Sequence, residues 1–414
     1  MNMLLRFECK KLLNRKFTVI TIFALMLCVM ALSFLIISEN TNYNADGSRI
    51  SGMKAIRVNK SSQAISEGKL TKQKLLEAFH QYQKVMNKPS NYEGTTDDLK
   101  DEVYVTELKP YDGVLSLLRR NYSPAGRYDY YILSSVSDEM IDQFYEIRHA
   151  KIQELVNMDY SYGNYSQTEK EFILNKDSKI KTPFSYDYAD GWGDILQRGF
   201  FTVFLLIGLA VCVIIAPIFA YEYQTGADAV VLSTRFGRKR IIQAKILAGF
   251  LVSSGIFFLA TALFMIITFT AYGIQGWNAS FQILSFTSFY SLTILQVFLC
   301  GLLLNYLIVI AVMSITMLLS SVCNTSFSTV IISALWVFVP LFIPSSKDSK
   351  VFNYIINLLP AKALDTYTVF SVYDVYSFGK TVISLPIVIL LSSAFLVLIA
   401  LPLAHRSFSR HQVA

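Results

Sequence analysis

Six apolar runs, each about long enough to cross a bilayer as a helix, constrain this chain more than any other feature. They cover residues 17–37, 199–220, 246–272, 289–320, 326–343 and 382–404. A hydrocarbon core takes about 20 apolar residues in helical form. The third and fourth runs exceed one crossing and are expected to tilt or bend. The fifth is short, with a re-entrant path as its alternative. Composition agrees: 53% of the residues are hydrophobic and 16% charged, whereas soluble domains carry about 25% charged residues. The first run has the basic flank of a secretory signal. Its apolar stretch is longer than a signal core, however, and no A-x-A site follows, so it reads as a permanent span. The expected fold class is an all-α polytopic membrane protein with six transmembrane helices.

Basic residues near span ends mark the cytoplasmic side. Arg6, Lys10, Lys11, Arg15 and Lys16 precede the first run, against the single acid Glu8. Arg235, Arg238, Lys239, Arg240 and Lys245 follow the second run, against Glu222 and Asp228, and Arg406 and Arg410 follow the last. Six spans put all three groups on one side, so both termini are expected in the cytoplasm and segment 39–197 outside. That segment holds 20 basic and 24 acidic residues, a net of −4. The whole chain holds 37 against 30, a net of +7, so the remainder carries +11. The basic excess therefore reflects orientation, and no basic patch interleaved with aromatics points to nucleic acid. None of the five cysteines lies in 39–197, and no CxxC or Cys/His cluster supports a disulfide scaffold or a zinc site.

Segment 39–197 reads as a mostly helical extracellular domain. Residues 71–87 place Leu75, Leu76, Phe79, Tyr82 and Met86 at helical spacing. Ser137 is positioned to cap a helix burying Met140, Ile141, Phe144, Ile152, Leu155 and Val156. Ser166 and Glu169 form a capping-box pattern, and Asp46-Gly47 marks a turn. The tyrosine-rich stretches "YSPAGRYDYYIL" and "DYSYGNYSQ" are expected to be chiefly core, with an aromatic binding surface as the alternative. The acids Asp97-Asp98 and Asp101-Glu102 read as a solvated face, because adjacent helical residues do not face each other.

Catalytic motifs are absent. "SFGKT" at 377–381 resembles the end of a phosphate-binding loop, but Asp374 stands where that loop needs glycine. The chain therefore holds no nucleotide site of its own and reads as a non-enzyme. Acids and bases are nearly missing from the span interiors, which argues against proton- or sodium-coupled transport. Small and hydroxylated residues in 251–264 and 312–329 suit close helix packing instead.

The loop between the second and third runs has its own architecture, "YEYQTGADAVVLSTRFGRKRIIQAKIL" at 221–247. "ADAVVLST" predicts a short helix with an apolar stripe through Ala229, Val230 and Leu232. Gly226 and Gly237 permit sharp turns beside it, and its acids come early and its bases late, as a helix dipole favours. Glu222, Gly226, Leu232, Ser233, Thr234, Gly237, Arg238, Ala244 and Lys245 together resemble the type-2 export family of ABC transporter permeases. Arg235-Phe236 departs from that family, in which a turn residue is frequent there. The amino-terminal "LLRFECKKLLNRKF", with an apolar side of Leu4, Leu5, Cys9, Leu12 and Leu13, is similar to the family's amphipathic entry helix, whose cations Arg6, Lys10, Lys11, Arg15 and Lys16 suit anionic lipid.

The resemblance implies a bacterial plasma-membrane permease of an ATP-driven exporter. It implies two cytoplasmic ATPase subunits that bind ATP and Mg, a second permease copy or paralogue, and an amphipathic substrate: a peptide, antibiotic or lipid-like molecule. The loop side chains expected to meet the ATPase are Glu222, Tyr223, Thr225, Gly226, Asp228, Leu232, Ser233 and Arg235. The implied organisation is an entry helix (1–16), a first span (17–38), the extracellular domain (39–197), a second span (198–220) and a coupling loop (221–245). Spans three to six follow (246–404), with an interfacial segment near 345–380 in which Leu358, Leu359 and Leu364 meet the interface, and then a cytoplasmic tail (405–414). The rival class is a sensor or immunity protein that binds a peptide through 39–197 and transports nothing.

Overall fold

The computed structural model describes residues 2–44, 48–93, 99–234 and 237–411. Asp46-Gly47, Asp97-Asp98 and Arg235-Phe236 lie outside the described residues. Helix α1 (Asn2–Leu13) leads through a two-residue corner into α2 (Lys16–Ser38). The large segment that follows carries α3 (Met53–Gln63), α4 (Lys72–Met86), α5 (Asp112–Tyr122), α6 (Phe144–Asn157) and α7 (Gln167–Asp177). Then come α8 (Asp190–Thr225), the short α9 (Ala227–Ser233), α10 (Gly237–Tyr272), α11 (Ile294–Val322) and α12 (Ser326–Phe342). The chain closes with α13 (Lys350–Ile356), α14 (Thr366–Ser371) and α15 (Leu385–Ser409). Strands among the described residues form three two-stranded antiparallel ladders. They are β1 (Thr41–Tyr43) with β2 (Arg49–Ser51), β3 (Gly68–Lys69) with β4 (Ser185–Tyr186), and β5 (Val375–Phe378) with β6 (Thr381–Ser384).

Helices α2, α8, α10, α11 and α15 are long and apolar enough to cross a membrane, and α12 is apolar but shorter. Their order in the bundle follows from burial. Helix α8 is the axis, with 78% of its most apolar window buried, against 22% for α2 and 28% for α15. It packs on α2, α10, α11 and α12, while α15 lies along α11 and α1 along α10. The hydroxyls Ser314, Thr316 and Ser333 bond the carbonyl four residues back, at 2.8 Å each, so they add no unpaired polarity to the interior.

Span boundaries shift where caps override hydropathy. The fourth helix starts at Ile294 rather than 289, because Thr293 and Gln296 form a capping box. The last starts at Leu385, with Val382 in β6. "SFGKT" is the turn of the β5–β6 hairpin, with Gly379 at φ 63°.

Segment 39–189 forms a head at one end of the bundle. Its core gathers Leu75, Phe79 and Tyr82 of α4, Leu115 and Leu118 of α5, and Phe144. Phe286, from the α10–α11 connection, inserts into the same core. Buried Arg148 sets the joint: it donates to Asp177 Oδ1 at 2.7 Å, and to the carbonyls of Phe286 and Ser288 at 3.1 and 3.0 Å. At the same end Tyr272 and Asn40 both donate to Asp194, at 2.5 and 3.2 Å. The expected helix after Ser137 breaks into Asp138–Asp142 and α6, and Met140 is exposed because it falls on the outer side of that break. Leu364 is buried in the main core rather than at an interface, since α14 folds back against α11. Tyr128, Tyr130 and Tyr131 are exposed, contrary to a core role, while Tyr186 and Tyr188 are buried.

The Ser166–Glu169 capping box is present, and it does more than cap. Glu169 accepts from the Ser166 amide at 2.8 Å, from Lys350 of α13 at 2.7 Å and from the Tyr354 hydroxyl at 3.1 Å. Burial alone would raise this carboxyl. The hydrogen bonds from Lys350 and the Ser166 amide outweigh it and hold Glu169 below the usual carboxylate range. A depressed folded pKa gives stability that is complete above the unfolded pKa and is lost as pH falls through the folded one. Glu169→Gln is therefore expected to lose roughly 2 kcal/mol at neutral pH and to show a shallower acid-side loss than wild type, read by thermal unfolding across pH in mild detergent.

Candidate functional site

The end of the bundle opposite the head is organised by a break in α8. Pro217 supplies no backbone N–H, so the helix ladder cannot pass through it. Ser320 of α11 enters the ladder beside it. Its hydroxyl donates to the Ala216 carbonyl at 2.6 Å and accepts from the Phe219 and Ala220 amides at 3.0 Å each. One hydroxyl thereby uses its single donor and both acceptor sites. The last two turns of α8, which carry Glu222 and Tyr223, form a separate piece held by α11.

Glu222 sits in a chain of four charges, three of them buried and Lys11 half-buried. Its Oε1 accepts from Lys245 of α10 and from Lys11 of α1, at 2.6 Å each, and Lys245 also reaches Glu8 of α1 at 3.0 Å. The Lys245, Glu222 and Glu8 side chains are 2%, 4% and 8% exposed. Two acids and two bases balance. The Arg15 guanidinium lies 4.4 Å from the Tyr221 ring centre. The expected apolar side of α1 faces the bundle except at Leu13: Leu12 is in the core, Leu5 and Cys9 pack against it and Leu4 is half-buried. Glu8 is buried on the same side through its ion pair, whereas Leu13, Phe7 and Met3 are exposed.

Beyond Thr225 the chain reverses at Gly226, whose φ of 67° is left-handed. A Cβ there would meet nothing, so conformation rather than space requires glycine. Gly237 is the opposite case: a Cβ would lie 1.7 Å from the Val231 carbonyl oxygen. Between them α9 buries Asp228 and Leu232, with Val231 half-buried, and leaves Val230 67% exposed. The expected stripe through Val230 is therefore displaced, because the helix docks through residues 228, 231 and 232. His411 lies 3.4 Å from Asp228. Arg238 donates to the carbonyls of Leu232 at 3.2 Å and Ser409 at 2.8 Å, placing a cation at two helix carboxyl ends. Tyr223 donates to the Ser321 carbonyl at 3.0 Å and packs on Phe408 and His411.

The site residues thus divide by exposure. Glu222, Asp228 and Leu232 are buried against this chain, and Tyr223 is half-buried. Thr225, Gly226 and Ser233 are exposed beside Val230, as are Arg6, Lys10 and Lys16. Lys11 is engaged with Glu222 and Arg15 with Tyr221. Arg235 lies outside the described residues. Sequence reasoning did not assign roles to Ser320, Glu8 or His411. The one acid among five amino-terminal cations was the available signal for Glu8.

A family model described as "ABC-2 family transporter protein" matches residues 4–351, from α1 through the start of α13. The chain belongs to the ABC-2 transporter family. No curated protein and no solved structure matches it. An ABC-2 chain is the permease component of an ABC transporter, a multi-pass membrane protein whose ATPase activity sits in a partner subunit. In this ABC-2 permease the four-charge chain is the best-defined polar feature of the loop end.

Lys245→Met should leave Glu8 buried without its cation and Glu222 with Lys11 alone, and cost about 3–5 kcal/mol. The triple variant Glu8→Gln, Glu222→Gln, Lys245→Met should recover most of that loss. Thermal unfolding of the purified variants measures both.

Proposed function

We propose that this chain is the membrane-spanning half of a bacterial ATP-driven exporter, and that its loop end receives force from a cytoplasmic ATPase. The observation that carries this reading is the exposed strip of Thr225, Gly226, Val230 and Ser233, mounted on a largely buried ion network joining α1, α8 and α10. The exposed strip makes the ATPase contact. Glu222, Asp228 and Leu232 anchor the strip so that it moves as one body with α8 and α10.

Six crossings account for the path. Helix α12 has 13 α-helical residues and a 3₁₀ extension of 4. At 1.5 and 2.0 Å per residue it reaches roughly 28 Å, close to the hydrocarbon thickness. Its start bonds Gln224 at the loop end through Ser326, and α13 beyond it bonds the head through Lys350. The basic loop end then faces the cytoplasm with both termini, and the acidic head lies outside.

Two ATPases would act on two permease copies, this chain with itself or with a paralogue. Apolar side chains left exposed on α2, such as Phe23 and Leu27, and on α15, such as Phe395 and Leu398, are available to lipid, to that second copy and to an amphipathic cargo. ATP and Mg belong to the partner.

The test is co-purification of the tagged chain from its native membrane in mild detergent, followed by mass spectrometry. An ATPase subunit should accompany wild type and be lost with Val230→Asp, whose exposed site leaves folding intact. Glu222→Gln should retain the subunit but uncouple ATP hydrolysis from export. If no ATPase accompanies the wild type even after crosslinking, the reading fails and a sensor without transport takes its place.

A further inference from the structure

A cleft of about 600 Å³ that the loop-end mechanism leaves unused lies where the head meets residues 285–287 and 367–374. Its lining includes the cations Arg120, Arg127 and Lys151 and the rings of Tyr160, Tyr162 and Tyr165. The tyrosines form one cluster, with Tyr160 5.2 Å from Tyr162 and 5.7 Å from Tyr165, ring centre to ring centre. These rings come from the sequence stretch that aromatic spacing marked as core or binding surface. They are half-buried and line an opening.

Lys151 is the unusual group. It is only 8% exposed, yet among the described residues no acid forms an ion pair with it. Its ammonium donates to the Ser123 carbonyl, which accounts for one of three N–H donors. Burial pushes its pKa down, and Glu154, one turn along the same helix, offsets this only in part. A desolvated cation without a counter-ion is costly unless something supplies the charge. Arg120 and Arg127 are exposed in the same lining and add to the positive field.

The cleft's acid is Asp374, which with Tyr162 and Tyr165 separates it from a smaller cavity beside Lys350. Asp374 is already held by Asn357 at 2.7 Å. Burial raises its pKa and so weakens its opposition to an anion.

We propose that this cleft binds an anionic amphiphile. Its carboxylate, sulfonate or phosphate would sit on Lys151, Arg127 and Arg120, and its aromatic or acyl body on the Tyr160–Tyr162–Tyr165 cluster. Aromatic side chains offer a large apolar face to the body, and charge-assisted hydrogen bonds hold the head group. The site stands apart from the transport reading, since the chain alone should bind with or without an ATPase.

The test uses a matched pair of fluorescent probes on the full chain in phosphatidylcholine nanodiscs, with empty discs subtracted. 8-Anilinonaphthalene-1-sulfonate carries the anion, and N-phenyl-1-naphthylamine lacks it. Lys151→Met should weaken the sulfonate about tenfold, the loss of one charged contact, and leave the neutral probe unchanged. The surface variant Arg120→Gln, Arg127→Gln should weaken the sulfonate as well, and serves where Lys151→Met does not fold. Displacement of the sulfonate when phosphatidylglycerol enters the discs would put the natural anion on a lipid head group. Persistence of the signal would put it on a free ligand. Equal binding of the sulfonate by wild type and the variants, or parallel loss of both probes, overturns the proposal.

Discussion

The loop end depends on one arrangement, the largely buried chain from Glu8 through Lys245 and Glu222 to Lys11. Glu8, Glu222 and Lys245 lost most of their water on folding, while Lys11 reaches them from the surface. The arrangement is satisfied only when α1, the end of α8 and the start of α10 keep one register. A shift of any of the three opens a gap in apolar surroundings and exposes an unpaired charge to it. The three elements are therefore bound to move together. Salt bridges of this kind contribute little net stability compared with apolar packing, and their value lies in specifying one geometry.

That block joins a helix already divided in two. From Phe200 to Ile215, α8 is an unbroken apolar axis, with Phe204 stacked on Phe257 at 5.2 Å. Below it, the turns carrying Glu222 belong to the charged block. Between them stands Pro217, and beside it the Ser320 hydroxyl enters the ladder at Ala216, Phe219 and Ala220. A side chain inserted into a helix ladder is a recognised cause of bending. Here the insert comes from α11, so any change of angle at Ala216 must also displace α11. Helix α11 in turn packs along α15, whose last turns bear on Tyr223 and Asp228 through Phe408 and His411. The loop end is consequently closed by its own carboxyl-terminal helix, and motion of the loop cannot be separated from motion of α15.

How much of this was legible in the sequence depends on how far apart the partners lie. The capping box at Ser166 and Glu169 spans three residues, and its chemistry is written in the pattern. The short helix after Gly226 was readable for the same reason, as were the five long apolar helices. Its buried face was not: Val230 suits an apolar stripe, but Asp228 is drawn inward by His411, 183 positions further along by the sequence numbering. Glu8 and Lys245 are separated by 237 positions, and Ser320 lies about a hundred residues from the backbone it bonds. In each case a charged or hydroxylated residue, taken alone, reads as a solvated or packing position. Its meaning is set by the one partner the fold brings to it. Hydropathy thus located the membrane-length segments, while the polar contacts that hold them in register are long-range and enter only with the tertiary structure. The same holds for Lys151, whose sequence neighbours give no sign that it would be buried in a tyrosine-lined cleft with no ion-pair partner among the described residues.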